Sequence, residues 1–147
     1  MLDQTTNLAS LLNDPSLLET RGYVNGSWVD GADGTFPVDN PARGDTIAEV
    51  ADLSRAQVAE AISAAETAQK DWAKWTGKER SAALRNWFDL MMANQHDPGI
   101  ILTAQQGQPL AQAKCESLYL ASFIEYFAAE AKRVYGATIP RPQRDQR

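Results

Sequence analysis

Hydrophobic positions change their period near residue 50, and that change divides the chain. From Ser54 onward apolar side chains recur every three or four residues, the spacing of a helix face. Val58, Ala61, Ile62, Ala65 and Trp72 carry this pattern through Trp75. It opens on Ser54-Arg55-Ala56-Gln57, a capping box in which hydroxyl and carboxamide satisfy two orphan N–H groups reciprocally. Thr76-Gly77-Lys78-Glu79 is a second capping box, with Leu84, Trp87, Phe88, Met91 and Met92 expected on one face behind it. Asp97-Pro98 predicts a short third helix, Asp97 as its cap and Pro98 in its first position, closed by Gly107. Pro109 then starts a fourth helix expected to reach Tyr135, with Gly136 as left-handed terminator. At 1.5 Å per residue that helix would be roughly 40 Å long. Leu118, Tyr119, Leu120, Phe123, Ile124, Phe127 and Val134 cover more than one of its faces, so it calls for neighbours on several sides.

The segment before residue 50 is different. Residues 1–20 form an arm carrying Leu8, Leu11, Leu12, Leu17 and Leu18 around Asn13-Asp14-Pro15, read as short helical turns that must dock to stay ordered. Residues 21–50 read as a β-hairpin and extended segments. Tyr23-Val24 and Trp28-Val29 flank Asn25-Gly26, the dipeptide suited to the two positive φ angles of a type I′ turn. Asn25-Gly26-Ser27 also fits a glycosylation sequon, but the turn reading is preferred. Gly31 to Gly34 is a second turn, and Thr35–Val38 and Thr46–Val50 are extended pieces around Asn40-Pro41-Ala42-Arg43-Gly44. Pro37 suits a sheet edge because it donates no ladder hydrogen bond. The fold class is therefore α+β and mostly helical: about four helices, an amino-terminal hairpin and short extended segments. The polar tail at 137–147 reads as a truncated connector; its three arginines suggest a small anion site less well.

Composition narrows the function classes. The 147 residues are 44% apolar, 22% charged and 8% aromatic, enough for one domain with a core and too rich in aromatic residues for disorder. A net charge of -5 argues against nucleic acid, which demands a basic face. No apolar run approaches the roughly 20 residues that span a bilayer, and Met1–Asn7 lacks the basic start of a signal peptide. A cytoplasmic protein is the expectation.

The usual catalytic constellations are missing. The sequence holds no P-loop, no G-x-G-x-x-G, no H-E-x-x-H and no G-x-S-x-G. His96 is the only histidine and is expected near the end of the second helix, where a cation favours the dipole. Cys115 is the only cysteine, which excludes a disulfide framework within the chain and any thiolate metal cluster. Lys114 diverges from it by about 100° around a helix, so Cys115 reads as packed and inert. Trp28, Trp72, Trp75 and Trp87 fit packing positions, since a stacking platform for bases would need interleaved basic residues. The residues alone assign no catalytic, cofactor-binding or metal-ligating apparatus.

Several stretches resemble a known family. Tyr23-Val24-Asn25-Gly26-Ser27-Trp28-Val29 and Asp39-Asn40-Pro41-Ala42-Arg43-Gly44 are similar to the opening hairpin and N-P-x-x-G loop of the aldehyde dehydrogenase superfamily. The resemblance continues through Lys78-Glu79-Arg80, Leu84–Met92 and Gln106-Gly107-Gln108-Pro109-Leu110-Ala111, then Ala121–Ala128 and Tyr135–Pro140. It covers about residues 20–147 in order and is strongest to the bacterial succinate-semialdehyde dehydrogenases.

The resemblance implies a fold, an activity and an incomplete apparatus. In that family a cysteine nucleophile forms a thiohemiacetal with the aldehyde, an oxyanion hole stabilises the alkoxide, and hydride passes to NAD or NADP. The W-N-F-P motif, the ribose-binding lysine, the dinucleotide-binding glycines, the glutamate base and that cysteine have no counterpart in these 147 residues. Cys115 does not match the nucleophile. The resemblance thus implies a chain inactive by itself, without cofactor, that belongs to a homo-oligomeric enzyme taking an aldehyde when complete. It places residues 54–136 in the helical layer on the cofactor-binding sheet, and Tyr119, with Cys115 one turn earlier, at the substrate access. Val38, Asp39 and Gln105 fall near the family's monovalent-cation site, where Gln105 replaces the usual acidic residue and Gln108 the usual lysine. The alternative is a non-enzymatic helical module that self-associates, or an inactive relic of such an enzyme.

Overall fold

The computed structural model describes residues 7–136; the tail reading at 141–147, the start at Met1 and the Ala137–Pro140 part of the resemblance lie outside them. The chain runs from two 3-10 turns, Leu8–Leu11 and Pro15–Leu17, into β1 (Gly22–Val24) and β2 (Ser27–Val29), then β3 (Thr35–Asp39) and β4 (Thr46–Ala51). Four helices follow: α1 (Arg55–Trp72), α2 (Gly77–Ala93), α3 (His96–Gln106) and α4 (Leu110–Glu130). This is the α+β, mostly helical architecture expected.

Turn chemistry builds the strands. Val24 pairs with Ser27 across Asn25 (φ 48°) and Gly26 (φ 81°), both left-handed, which gives β1–β2 its two-residue turn. The second antiparallel pair sets Thr35 against Ala51 and Pro37 against Glu49, so Pro37 does lie in an edge strand. Both pairs are two-stranded. Between β3 and β4 the Asn40 loop closes on itself. Arg43 N and Gly44 N donate to Asn40 O, and Ala42 N donates to Asn40 Oδ1 at 2.9 Å.

Both capping boxes form. Gln57 N donates to Ser54 Oγ while Gln57 Oε1 accepts from Ser54 N, and Thr76 and Glu79 repeat the exchange. Hydrogen bonds from the Thr76 backbone and hydroxyl hold the Glu79 carboxyl below its ordinary value. Thr76 is extended (ψ 158°), and so α1 ends at Trp72 with a turn to Trp75 rather than running through it.

Packing corrects several expectations. The core runs along α4, where Ala113, Ala121, Ile124 and Ala128 are buried against α2 and α3. On α2, Leu84, Phe88, Met91 and Met92 are half-buried, but Trp87 is exposed with Leu90 and does not share their face. Trp28 and Trp75 are exposed too, so only Trp72 among the tryptophans fits the packed reading. Tyr23 and Trp28 instead meet edge to face at 4.9 Å across the hairpin. No residue of α1 is buried. Arg85 joins α2 to α4 through Glu125 at 2.8 Å and lies 4.7 Å over the Phe88 ring.

The helix ends differ as well. α4 stops at Glu130 instead of near Tyr135, which makes it about 32 Å long. Its carboxyl end abuts the start of α2, where Ala131 O sits 2.4 Å from any Cβ placed on Gly77. Gly136 has no left-handed φ, so it is not the terminator; Gly107 (φ 73°) does close α3. α3 begins at His96, with Gln95 as its cap in helical geometry. His96 therefore opens the third helix rather than ending the second, where its charge would oppose the dipole. Asp97 is not the cap. It lies within the first turn, 1% exposed, and its carboxylate accepts Asn13 N at 3.0 Å and Asp14 N at 2.8 Å.

Candidate functional site

α3 and α4 are joined by three residues, Gly107-Gln108-Pro109, the first left-handed and Pro109 extended (ψ 141°). So short a link folds α4 back along α3. The buried alanine at 113 lets the two helices approach on one side. On the other side they diverge into a groove of about 830 Å³. From α3 it is lined by Pro98, Ile101, Leu102 and Gln105, the i, i+3, i+4, i+7 face of that helix. From α4 come Glu116, Ser117, Tyr119, Leu120 and Phe123.

Tyr119 stands at this groove, 67% exposed, with its ring edge to face with Phe123 at 4.9 Å. The polar groups around it are tied locally. Gln108 Nε2 donates to Glu116 Oε2 at 3.2 Å, and Ser117 Oγ donates to Ala113 O at 3.2 Å. What remains is an apolar trough with one phenol and the Gln105 amide on its walls. Such a surface can shape and guide a ligand chemically; its lining offers no nucleophile to a bound carbonyl.

The family resemblance puts Tyr119 with Cys115, and Gln105 with Val38 and Asp39. The structure unites Tyr119 with Gln105 instead. Cys115, one turn before Tyr119, does not line the groove, and its thiol is exposed rather than packed. Val38 and Asp39 lie on β3, where the ladder is irregular, and Asp39 Oδ1 accepts Thr46 Oγ1 at 2.7 Å. No hydrogen bond joins Asp39 to Gln105 among the described residues. Nor, among them, do three His, Cys, Asp or Glu side chains cluster closely enough to hold a metal ion. Ile101, Leu102 and Phe123 were not singled out as site residues, although the spacing Pro98, Ile101, Leu102, Gln105 already marks one face.

Known proteins share this arrangement. A family model described as "Aldehyde dehydrogenase family" matches residues 28–147. A glutarate-semialdehyde dehydrogenase of Pseudomonas putida is 50% identical over 137 residues, which are 92% of this chain and 28% of the relative. A succinate-semialdehyde dehydrogenase [NADP(+)] of Escherichia coli is 47% identical over the same shares of each chain. The crystal structure of an aldehyde dehydrogenase from Brucella melitensis superposes with a TM-score of 0.86 at 56% identity, over 90% of this chain and 28% of that one. The chain thus spans little more than a quarter of the length of these relatives.

Proposed function

The chain belongs to the aldehyde dehydrogenase family, and from that premise we propose that it is the amino-terminal part of an NAD(P)-dependent enzyme oxidising succinic semialdehyde. The observation that carries the substrate class is the 50% and 47% identity, over 137 residues, to enzymes named for glutarate and succinate semialdehydes. The second relative's name also carries NADP(+), which supports a nicotinamide cofactor for the complete enzyme. Residues 54–136 then serve as the helical layer of the cofactor-binding domain, and the α3–α4 groove borders the path of the aldehyde, with Tyr119 as its access residue. A monovalent cation near Val38, Asp39 and Gln105 belongs to the same reading.

Two assays test it. The purified 147-residue chain, given succinic semialdehyde with NAD or NADP, is expected to form no reduced cofactor; measurable turnover would show that the parts assigned elsewhere are dispensable. A chimera in which this chain replaces the matching part of the Escherichia coli relative is expected to retain turnover of succinic semialdehyde. In that chimera Tyr119→Ala should raise KM about 3–10-fold, the value of one lost aromatic contact at an exposed site, with kcat changing less. A chimera that refuses the substrate, or a Tyr119→Ala chimera with unaltered KM, contradicts the assignment.

A second reading follows from one observation: Leu120, Phe123, Tyr126 and Phe127 of α4 are 55%, 44%, 58% and 56% exposed, large apolar side chains side by side on one helix, as interaction surfaces have. It is a self-associating helical module. Light scattering over a dilution series should then give an average mass well above 16.1 kDa that falls on dilution. A mass of one chain at every concentration removes this reading. No helix among the described residues is long and apolar enough to cross a membrane.

A further inference from the structure

A second, smaller cavity of about 290 Å³ lies away from the α3–α4 groove, between the Leu8–Leu11 turn, the Asn40 loop and the junction of α3 with α4. Its walls are aliphatic: Leu8, Leu11, Ile47, Ile100, Ala104 and Leu110. Asn40, Arg43 and Thr103 are the polar side chains in its lining.

Asn40 is 8% exposed, and nearly every group on it is used. Its N–H donates to Asp45 O, its carbonyl takes two loop amides, and its Oδ1 takes Ala42 N–H. Its Nδ2 is the exception. That nitrogen donates to no described group, yet it is not among the polar atoms sealed from solvent. A carboxamide held this rigidly by its oxygen presents fixed N–H donors at small conformational cost. Arg43 adds a second donor, because Nε and Nη2 are spent on Asp45 at 2.7 Å each while Nη1 has no partner among the described residues. Thr103 Oγ1 is unpartnered but shut off from solvent, and so is unavailable to a ligand.

We propose that this cavity binds a short, neutral aliphatic molecule ending in a carbonyl oxygen, its chain among the leucines and isoleucines and its oxygen on Asn40 Nδ2. An N–H donor on an otherwise aliphatic wall suits a carbonyl oxygen, whereas an ammonium would bring only donors of its own and a hydrocarbon would leave the N–H unpaired. Asp45 already neutralises Arg43, so a carboxylate gains no net attraction there and would face a like charge. A mostly apolar concavity with a few fixed polar groups is the usual form of a small-molecule site.

Pentanamide is the probe, titrated into the isotope-labelled 147-residue chain and followed by amide chemical shifts. Saturable shifts are expected at Ala42, Ile47, Ala104 and Gly107 in the millimolar range, with sodium pentanoate binding more weakly. Asn40→Asp keeps the oxygen that caps Ala42 but removes both donors, and should weaken pentanamide at least about fivefold, one lost hydrogen bond. Ala104→Leu fills the cavity from the α3 side and should abolish the shifts while leaving the spectrum dispersed. The proposal is overturned if pentanamide gives no saturable shifts there, if folded Asn40→Asp binds it equally, or if pentanoate binds better.

Discussion

Asp97→Ala is expected to detach residues 8–17 from the helices and lower the melting temperature of the chain by about 5–10 °C. The residue is 1% exposed, and its two carboxylate oxygens take the backbone N–H groups of Asn13 and Asp14. Those amides lie 84 and 83 positions back in the chain, so this single side chain closes a long loop. Leu8 and Leu12, 6% and 8% exposed, are the side chains expected to undock with it. Alanine removes both acceptors of two part-buried hydrogen bonds and leaves a void where the carboxylate sat, which is costlier than losing an exposed pair. Asp97→Asn retains one acceptor oxygen and should fall between. Hydrogen exchange is the sharper readout: the amides of 13 and 14 should lose protection while those of α2 keep theirs. Unchanged protection in the alanine variant would show that the leucines alone hold the arm.

The same contact predicts an acid dependence. Hydrogen bonds from Asn13 and then Asp14, with a smaller contribution from the neighbouring His96, hold the Asp97 carboxyl below its ordinary 3.8 despite the desolvation that opposes them. A carboxyl depressed in the folded state stabilises fully above its unfolded value and loses that stability as pH falls through the folded one. The arm should therefore stay docked at neutral pH and loosen only below about pH 3.8, and the alanine variant should lack this acid limb.

Local chemistry was legible in the sequence, and distant partnership was not. Asn25-Gly26 needs only its own backbone to make a type I′ turn, and Ser54–Gln57, Thr76–Glu79 and Gly107 likewise act within four residues. Asp97-Pro98 has the form of a cap followed by a first-turn proline, but its carboxylate was drawn to amides that periodicity cannot see. Helical spacing spreads the large apolar residues of α4 over more than one face, yet three of its four buried positions are Ala113, Ala121 and Ala128, small side chains that let α2 and α3 approach, with Ile124 the fourth. The large residues that look like core, Leu120 and Phe123 among them, remain exposed. The groove was half legible: Tyr119 and Gln105 were each singled out, but their meeting depends on how three residues turn α3 into α4. That the neighbours of Cys115 offer no activation says nothing about its exposure, and the residue is exposed.

Gly31→Ala is expected to be the most disruptive single methyl in the chain, at about 3 kcal/mol or more. The position has no positive φ, so the usual reason for glycine is absent. The reason is space. A Cβ there would sit 2.3 Å from Asp52 O, 2.5 Å from Asp52 N and 2.5 Å from Gly34 O, all backbone atoms that cannot rotate away. Those atoms are themselves engaged, since Asp33 N donates to Asp52 O and Asp52 N donates to Gly34 O. Gln57 ties the same loop to α1, accepting Ala32 N–H at 2.9 Å and donating to Asp30 O at 2.8 Å, while its capping role holds Ser54. The methyl thus strains the loop, the end of β4 and the start of α1 together. Gly26 and Gly44 make the comparison, for each has a positive φ but nothing within 4 Å of an added Cβ. Alanine at those two sites should cost only the left-handed penalty of roughly 1–2 kcal/mol. Denaturant midpoints for the three variants give the order directly. If Gly31→Ala proves no worse than Gly26→Ala, the loop from 30 to 34 yields far more easily than its interlocked hydrogen bonds imply.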